Sequence, residues 1–382
     1  MSRFRIPFGS PAPREDAAAI RAAIERVVSS GWYVLGPEVA AFEAEFAAAA
    51  GAAHAVGVGT GTDAIALILK GLGIGPGDEV ITTPLSAAYT ALAVMMVGAR
   101  PVFADIEPRG LGLDPASVQA RITPRTTAIM PVHYAGIAAD MDALLALARV
   151  RNLKVVEDAA HGLGGSLHGR PLGTLGDAGC FSFHETKNIT CGEGGALVVR
   201  DPALAARAEV IREKGTNRAA FLRGEVDKYT WVAEGSSYVL SDLLAAILDA
   251  QLDKLARIQA LRAQVVRRYR EGLGDWAAER GVRLAPELPE RGPNHHIFYL
   301  LYPEARLRDA ALRALREQGI LATFHYVPLH SAPHARELGV DVVMPVTDRV
   351  AATLLRLPLH PRLTADEIDR VVAAVRETGS RA

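Results

Sequence analysis

Residues 153–165 read LKVVEDAAHGLGG: a short apolar run that ends on Glu157 and Asp158, then gives way to alanines, a histidine and glycines. A β-branched run bounded by such turn residues reads as a strand buried on both faces. An acid at the carboxyl end of a central parallel strand stands where open α/β sheets bind ligands. Outward from this stretch, further strands are expected at 80–82, 101–105, 128–132, 154–157, 179–183 and 196–200. Helical periodicity alternates with them over 62–71, 86–97, 115–121 and 141–149, and the joins carry glycine and proline, as in GIGPGDE and GARPVF. The alternation predicts an α/β fold with a mainly parallel sheet covered by helices.

Beyond Ser241 the pattern becomes one long helical run, LLAAILDAQLDKLARIQALRAQVVRRYREGL. It is expected to leave a large unit spanning 1–249 and to enter a smaller one spanning 250–382, in which HHIFYLLY reads as a strand. The chain has 382 residues, 49% of them hydrophobic and 22% charged, with a formal charge of -1, which fits a globular protein of more than one folding unit. Scattered charge of both signs gives no basic surface for nucleic acid and no basic helix for a membrane. No signal-like stretch opens the sequence and no segment reaches the roughly 18 apolar residues of a membrane span, so a cytoplasmic location is expected. With only Cys180 and Cys191, neither a disulfide framework nor a zinc site is supported.

Three stretches carry chemistry. GVGTGTDAIAL, residues 57–67, leads glycines and threonines straight into an apolar helix. Free backbone N–H groups, hydroxyls and the positive end of a helix dipole suit a phosphate, although a glycine-rich turn with Thr62 as N-cap accounts for the same residues. The third glycine of a nicotinamide-binding GxGxxG is missing. Asp158, in the stretch quoted first, could hold a pyridine nitrogen protonated and so make the ring an electron sink; a capping role is the plainer alternative. GCFSFHETKNITCGEGGALVV, residues 179–199, sets Ser182 and Lys187 between an apolar strand and a glycine-rich turn. Only six of the 42 basic residues are lysine, so Lys187 is out of character for a chain that prefers arginine. Arginine stays protonated and forms no imine, whereas a partly desolvated lysine becomes a neutral amine able to attack a carbonyl. Lys187 as an ordinary loop lysine is the competing reading. Phosphate cradle, acid and amine together match one cofactor, pyridoxal 5'-phosphate (PLP).

The order GTGTDA, EDAAH, FSFHETKN and GEGGA resembles the sugar aminotransferase family called DegT/DnrJ/EryC1/StrS, from about Trp32 to Leu359. VHYAGIAADMD, IREKGTNR, RGEVDKYTW, GSSYVLS and FHYVPLHS are more similar still to the subgroup that makes dTDP-4-amino-4,6-dideoxygalactose. The resemblance implies the aspartate aminotransferase-like fold, a large PLP-binding domain followed by a smaller α+β domain. It implies Lys187 as the Schiff-base lysine and proton shuttle, Asp158 at the pyridine nitrogen and His161 near the ring hydroxyl. Thr60, Gly61, Thr62 and Ser182 would hold the phosphate. In PLSAAYTA, Ala88 stands where many relatives stack an aromatic ring on the cofactor, and Tyr89 follows it. Where many relatives use an asparagine of the neighbouring subunit on the phosphate, this chain has Gly235-Ser236-Ser237, so Ser237 takes that role. Lys228, Tyr229, Tyr326 and His330 would border the sugar nucleotide, and Arg218 would meet either a diphosphate or a surface acid.

The implied activity is transamination of dTDP-4-keto-6-deoxyglucose by L-glutamate in a homodimer with shared active sites. Another keto sugar, 3-keto or GDP- or UDP-linked, is the enzymatic alternative. Family dehydratases carry histidine in place of the lysine, and a non-catalytic member would have no use for lysine, acid and phosphate loop together.

Overall fold

The computed structural model describes residues 4–9 and 16–378. Seven strands form the main sheet: β1 (His54–Val58), β2 (Glu79–Thr82), β3 (Arg100–Phe103), β4 (Thr126–Met130), β5 (Lys154–Asp158), β6 (Ala178–Ser182) and β7 (Gly195–Val199). Their order across the sheet is β1-β7-β6-β5-β4-β2-β3. The six strands expected from sequence are present within one or two residues at each end. β1, which opens with histidine and carries a glycine, escaped the reading. One expectation needs refinement: β7 runs antiparallel to both of its neighbours, while β2 to β6 pair in parallel.

Both faces of the sheet are covered, which is why its strands read as continuous apolar runs rather than alternating ones. Helices α2 (Pro37–Ala50), α3 (Gly61–Gly71), α4 (Ala88–Met96), α5 (Pro115–Arg121), α6 (Met141–Arg151) and α7 (Pro202–Arg212) supply the cover; α1 (Ala17–Ser30) packs further out, on the helix that begins at Asp242, and α8 (Arg218–Leu222) lies on the surface. Ala64 to Leu69 in α3 are all buried, so this helix lies between the sheet and other helices rather than against solvent. The expected single helix after Ser241 is two, α9 (Asp242–Leu252) and α10 (Leu255–Glu279). Ser241 caps the first, its hydroxyl accepting from Leu244 N. Apolar spacing continues through the break, so periodicity alone could not reveal it.

A second, three-stranded antiparallel sheet follows: β8 (Arg283–Leu284), β9 (Tyr299–Leu301) and β10 (Leu354–Arg356), in that order. HHIFYLLY supplies β9, as expected. Its apolar core includes Tyr269, Tyr299 and Val371, and is continuous with Ile6, Leu85, Ile106 and Tyr134 from the other half of the chain.

Tandem acids at the end of β5 show how strand geometry sorts side chains. Successive residues point to opposite faces, so Glu157 and Asp158 part company. Glu157 is fully buried and accepts the N–H groups of Gly173, Leu175 and Gly176 at 2.8, 2.6 and 2.7 Å. His133 Nδ1 accepts from Ala139 N, leaving Nε2 to donate to Glu157 at 2.8 Å. This hub fixes the loop before β6. Asp158 is left for the site.

Candidate active site

β5 ends on Asp158, β6 ends on Ser182, and α3 begins at Gly61 beside them. Thr60, extended at φ -150°, is the N-cap of α3, and its hydroxyl accepts from Asp63 N at 3.1 Å. The N-cap is therefore Thr60 and not Thr62. The N–H groups of Gly61 and Thr62 precede the helical ladder and have no partner among the described residues, as expected of a first turn that faces an anion. A Cβ on Gly61 would stand 2.9 Å from Ser182 Cβ and 3.4 Å from Phe181 O. No side chain fits there, and the helix start can lie directly against the end of β6. Gly195 serves the same approach from β7, since its Cβ would meet Thr60 O at 2.2 Å.

Asp158 is buried and doubly held. Its Oδ2 accepts from Thr90 Oγ1 at 2.8 Å, and its Oδ1 from Ala160 N at 3.1 Å. Ser86 Oγ lies 2.8 Å from Thr90 Oγ1 and extends the chain of hydroxyls. Cys180, the buried thiol of β6, approaches the same carboxylate at 3.7 Å; burial first, and that carboxylate second, hold the thiol well above its ordinary range.

Lys187 sits on the turn between β6 and β7. Phe183 N donates to Gly194 O at 2.8 Å, Glu185 N to Gly192 O at 3.0 Å, and Lys187 N to His184 O at 2.9 Å. Gly192, at φ +94°, occupies a conformation that glycine alone adopts freely. Buried Gln251 of α9 braces the turn: its Nε2 donates to Thr190 O at 2.7 Å and its Oε1 accepts from Thr190 N at 3.3 Å. The lysine is half-buried along its length, with its amine in the interior. Desolvation lowers its pKa to about 8; Asp158 opposes the shift and the guanidinium of Arg356 adds to it. A small pocket beside it is lined by His161, Ser182, Lys187, Asn188, Asn294 and His296.

His161 is buried with Nδ1 unpartnered. Burial first, and the charge of Lys187 second, push its pKa well below the usual histidine value, so it faces the cavity as neutral imidazole. Its ring lies 4.4 Å from that of His296, whose Nδ1 is 2.8 Å from Asn188 Oδ1. Asn294 Nδ2 donates to the carbonyl oxygens of His161 and Leu163.

The remaining expected residues lie further out. Tyr89, the second residue of α4, is 61% exposed; burial raises the pKa of Tyr326, and the nearby phenol of Tyr89 adds a little to that rise. Tyr326 packs against the second core and also feels Asp158. His330 is buried, with Nε2 3.2 Å from Asp348 Oδ1, an arrangement that fits a packed histidine. Lys228 and Tyr229 are exposed. Ser237 is exposed too, yet Tyr238 beside it accepts from Gly59 N, next to the phosphate loop. Arg218 takes the surface alternative, pairing with Glu213 at 2.9 Å.

Sequence reading missed Thr90, Gln251, His296, His325 and Arg356. Thr90 lies in the first turn of α4 and meets Ser86, which precedes the helix, hydroxyl to hydroxyl at 2.8 Å. Arg356 interrupts the apolar run LLRLPL, which was a signal of a charge held inside.

PLP needs a phosphate cradle, an acid for its ring nitrogen and an amine for its aldehyde. The unpartnered N–H groups of α3, the tethered carboxylate of Asp158, the orphaned Nδ1 of His161 and the depressed amine of Lys187 fit it. Comparison with known proteins agrees. The model of the DegT/DnrJ/EryC1/StrS aminotransferase family matches residues 14–376. DesV of S. venezuelae, solved with a ketimine intermediate, is 39% identical with a TM-score of 0.90, covering 99% of each chain. The aminotransferase TlmJ from Streptoalloteichus hindustanus is 32% identical with a TM-score of 0.89, again over 99% of each chain. The sugar aminotransferase Spr1654 from Streptococcus pneumoniae, solved in its PLP-form, is 26% identical with a TM-score of 0.90, covering 98% of this chain and 99% of its own; a PMP-form is also known. The chain belongs to the DegT/DnrJ/EryC1/StrS aminotransferase family and is a PLP-dependent sugar aminotransferase.

Proposed function

We propose that the chain moves the amino group of L-glutamate to C4 of dTDP-4-keto-6-deoxyglucose, giving dTDP-4-amino-4,6-dideoxygalactose and 2-oxoglutarate. The observation that carries this choice of sugar is the set of longer strings, RGEVDKYTW, GSSYVLS and FHYVPLHS among them, which resemble the subgroup with that product. When bound, PLP supplies an electrophilic carbon and a ring that accepts the electrons left when a substrate C–H bond breaks.

Lys187 would take the proton from the substrate carbon on Nζ and return it to the cofactor's former aldehyde carbon, two bonds away across the shared nitrogen, a task suited to an amine that burial holds at about 8. Asp158, fixed by Thr90 and Ala160, keeps the ring nitrogen protonated. His161 offers its free Nδ1 to the ring hydroxyl. Thr60, Gly61, Thr62 and Ser182 form the phosphate cradle. Tyr89 borders the ring and Tyr326 the sugar nucleotide, with His330 bracing that loop through Asp348.

A homodimer accounts for the exposed aromatic surface at Trp32, Tyr33 and Trp231. In it, Ser237, Lys228 and Tyr229 serve the neighbouring site. We read the unit spanning 1–249 as the PLP-binding one, with 250–382 closing over it, and place the enzyme in the cytoplasm; no helix among the described residues is long and apolar enough to cross a membrane.

Incubation with L-glutamate and a panel of dTDP-, GDP- and UDP-linked keto sugars tests the assignment. Mass spectrometry and NMR should find the 4-amino sugar of galacto configuration from the dTDP-4-keto substrate. Amination confined to a 3-keto or to a GDP- or UDP-linked sugar would overturn it.

A further inference from the structure

The turn that bears Lys187 is tied to the segment leading into β9 by a single side chain. Asn188, the residue after the lysine, donates from Nδ2 to Asn294 O at 3.2 Å. Its Oδ1 is therefore the acceptor, and the 2.8 Å contact with His296 Nδ1 is a hydrogen bond given by the imidazole. With the hydrogen on Nδ1, the ring keeps a lone pair on Nε2. Burial first, then His161 and Lys187, push the pKa of His296 well below the usual histidine value. The ring stays neutral and places no second charge beside the amine.

His296 is itself held from several directions. Its N–H donates to Asn294 Oδ1 at 3.0 Å, its carbonyl accepts from Arg262 Nη2 at 2.7 Å, and its ring lies 4.4 Å from that of His161. Arg262, on α10 and buried, donates from Nε to His295 O at 2.8 Å as well. His295 has φ +54°, a conformation that a residue with a side chain holds only where its surroundings impose it. Two carbonyls gripped by one guanidinium impose it here, and the kink delivers the His296 ring to the pocket beside Lys187. A lysine stem is flexible, so an amine that must meet one atom reproducibly needs its backbone fixed. Gln251 fixes the turn at Thr190. Nearer the lysine, Asn188 is the anchor.

We propose that His296 is a positioning residue for Lys187: through Asn188 its Nδ1–H fixes the turn from which the amine enters the pocket. This rests on Lys187 as the Schiff-base lysine. The role asks for a neutral ring with one donor, held rigidly by its own backbone, and His296 has each of these.

The test follows PLP and pyridoxamine 5'-phosphate (PMP) binding to cofactor-free protein, because PLP bonds to Lys187 and PMP, already an amine, does not. His296→Phe keeps a flat ring against His161 and removes the donor, Asn188→Ala removes the acceptor, and His296→Asn sets an amide nitrogen where Nδ1 stood. His296→Phe and Asn188→Ala should each slow PLP uptake about tenfold. The pH at which uptake levels off should move upward from about 8, since a loosened amine reaches water. PMP affinity should stay within about twofold in both, which also certifies the fold, and the double variant should be no slower than either single one. His296→Asn should recover most of the rate. Unchanged uptake in both single variants, a fall in PMP affinity as large as the fall in uptake, or His296→Asn no faster than His296→Phe would overturn the proposal and leave Lys187 in its role. If borohydride trapping and peptide mapping of the wild type find no bond to Lys187, both readings fail.

Discussion

Burial of the Lys187 amine gives the site its most direct solution signature. Only the neutral amine attacks the cofactor's aldehyde, and its fraction grows as pH rises through the folded pKa of about 8, from an ordinary value of 10.5. The rate of PLP uptake by cofactor-free protein should therefore climb with pH and level off soon above 8. An undisturbed lysine would still gain about tenfold per unit there. Thr90 matters only through Asp158. Thr90→Val removes a hydrogen bond to a buried carboxylate, worth about 1.5–3 kcal/mol, and should slow the glutamate half-reaction roughly ten- to a hundredfold while lowering the melting temperature by a few degrees. At this scale the sequence was legible where chemistry and local pattern coincide, as at Asp158 after an apolar strand and Lys187 among arginines. Thr90 and Arg356 were opaque, because what defines them lies far along the chain: Thr90 meets Asp158 across 68 residues, and Arg356 arrives from β10.

Elements position these groups through close approach. Gly61→Ala would press a methyl against Ser182 at 2.9 Å, an overpacking cost of about 1–3 kcal/mol. PLP affinity, measured by titration, should fall roughly ten- to a hundredfold with the fold retained. Gln251→Leu strips Thr190 of both backbone partners, at about 1–3 kcal/mol for each buried group left unpaired. Thermal denaturation should show the loss, and PLP should dissociate faster because the turn bearing Lys187 is loosened. Strand and helix identities were readable because burial on both sheet faces leaves apolar runs, and because glycine and proline mark the joins. The antiparallel sense of β7 was not, since direction depends on the crossover and not on composition. The break between α9 and α10 was hidden by apolar spacing that continues across it.

For the whole molecule, the core around the small sheet draws on Ile6, Leu85, Ile106 and Tyr134 from the first half of the chain, so the two halves are packed together. The exposed aromatics are the feature left unsatisfied in a single copy. Trp231, 76% exposed, should lie in the dimer interface, and Trp231→Glu should shift the mass measured by light scattering from two copies toward one. Everything above depends on one bond, between Lys187 and PLP. Borohydride reduction of the PLP-loaded protein, followed by proteolysis and mass mapping, would locate it: the pyridoxyl group should sit on Lys187 and on none of the other five lysines. A group on another lysine, or none at all, would contradict the account.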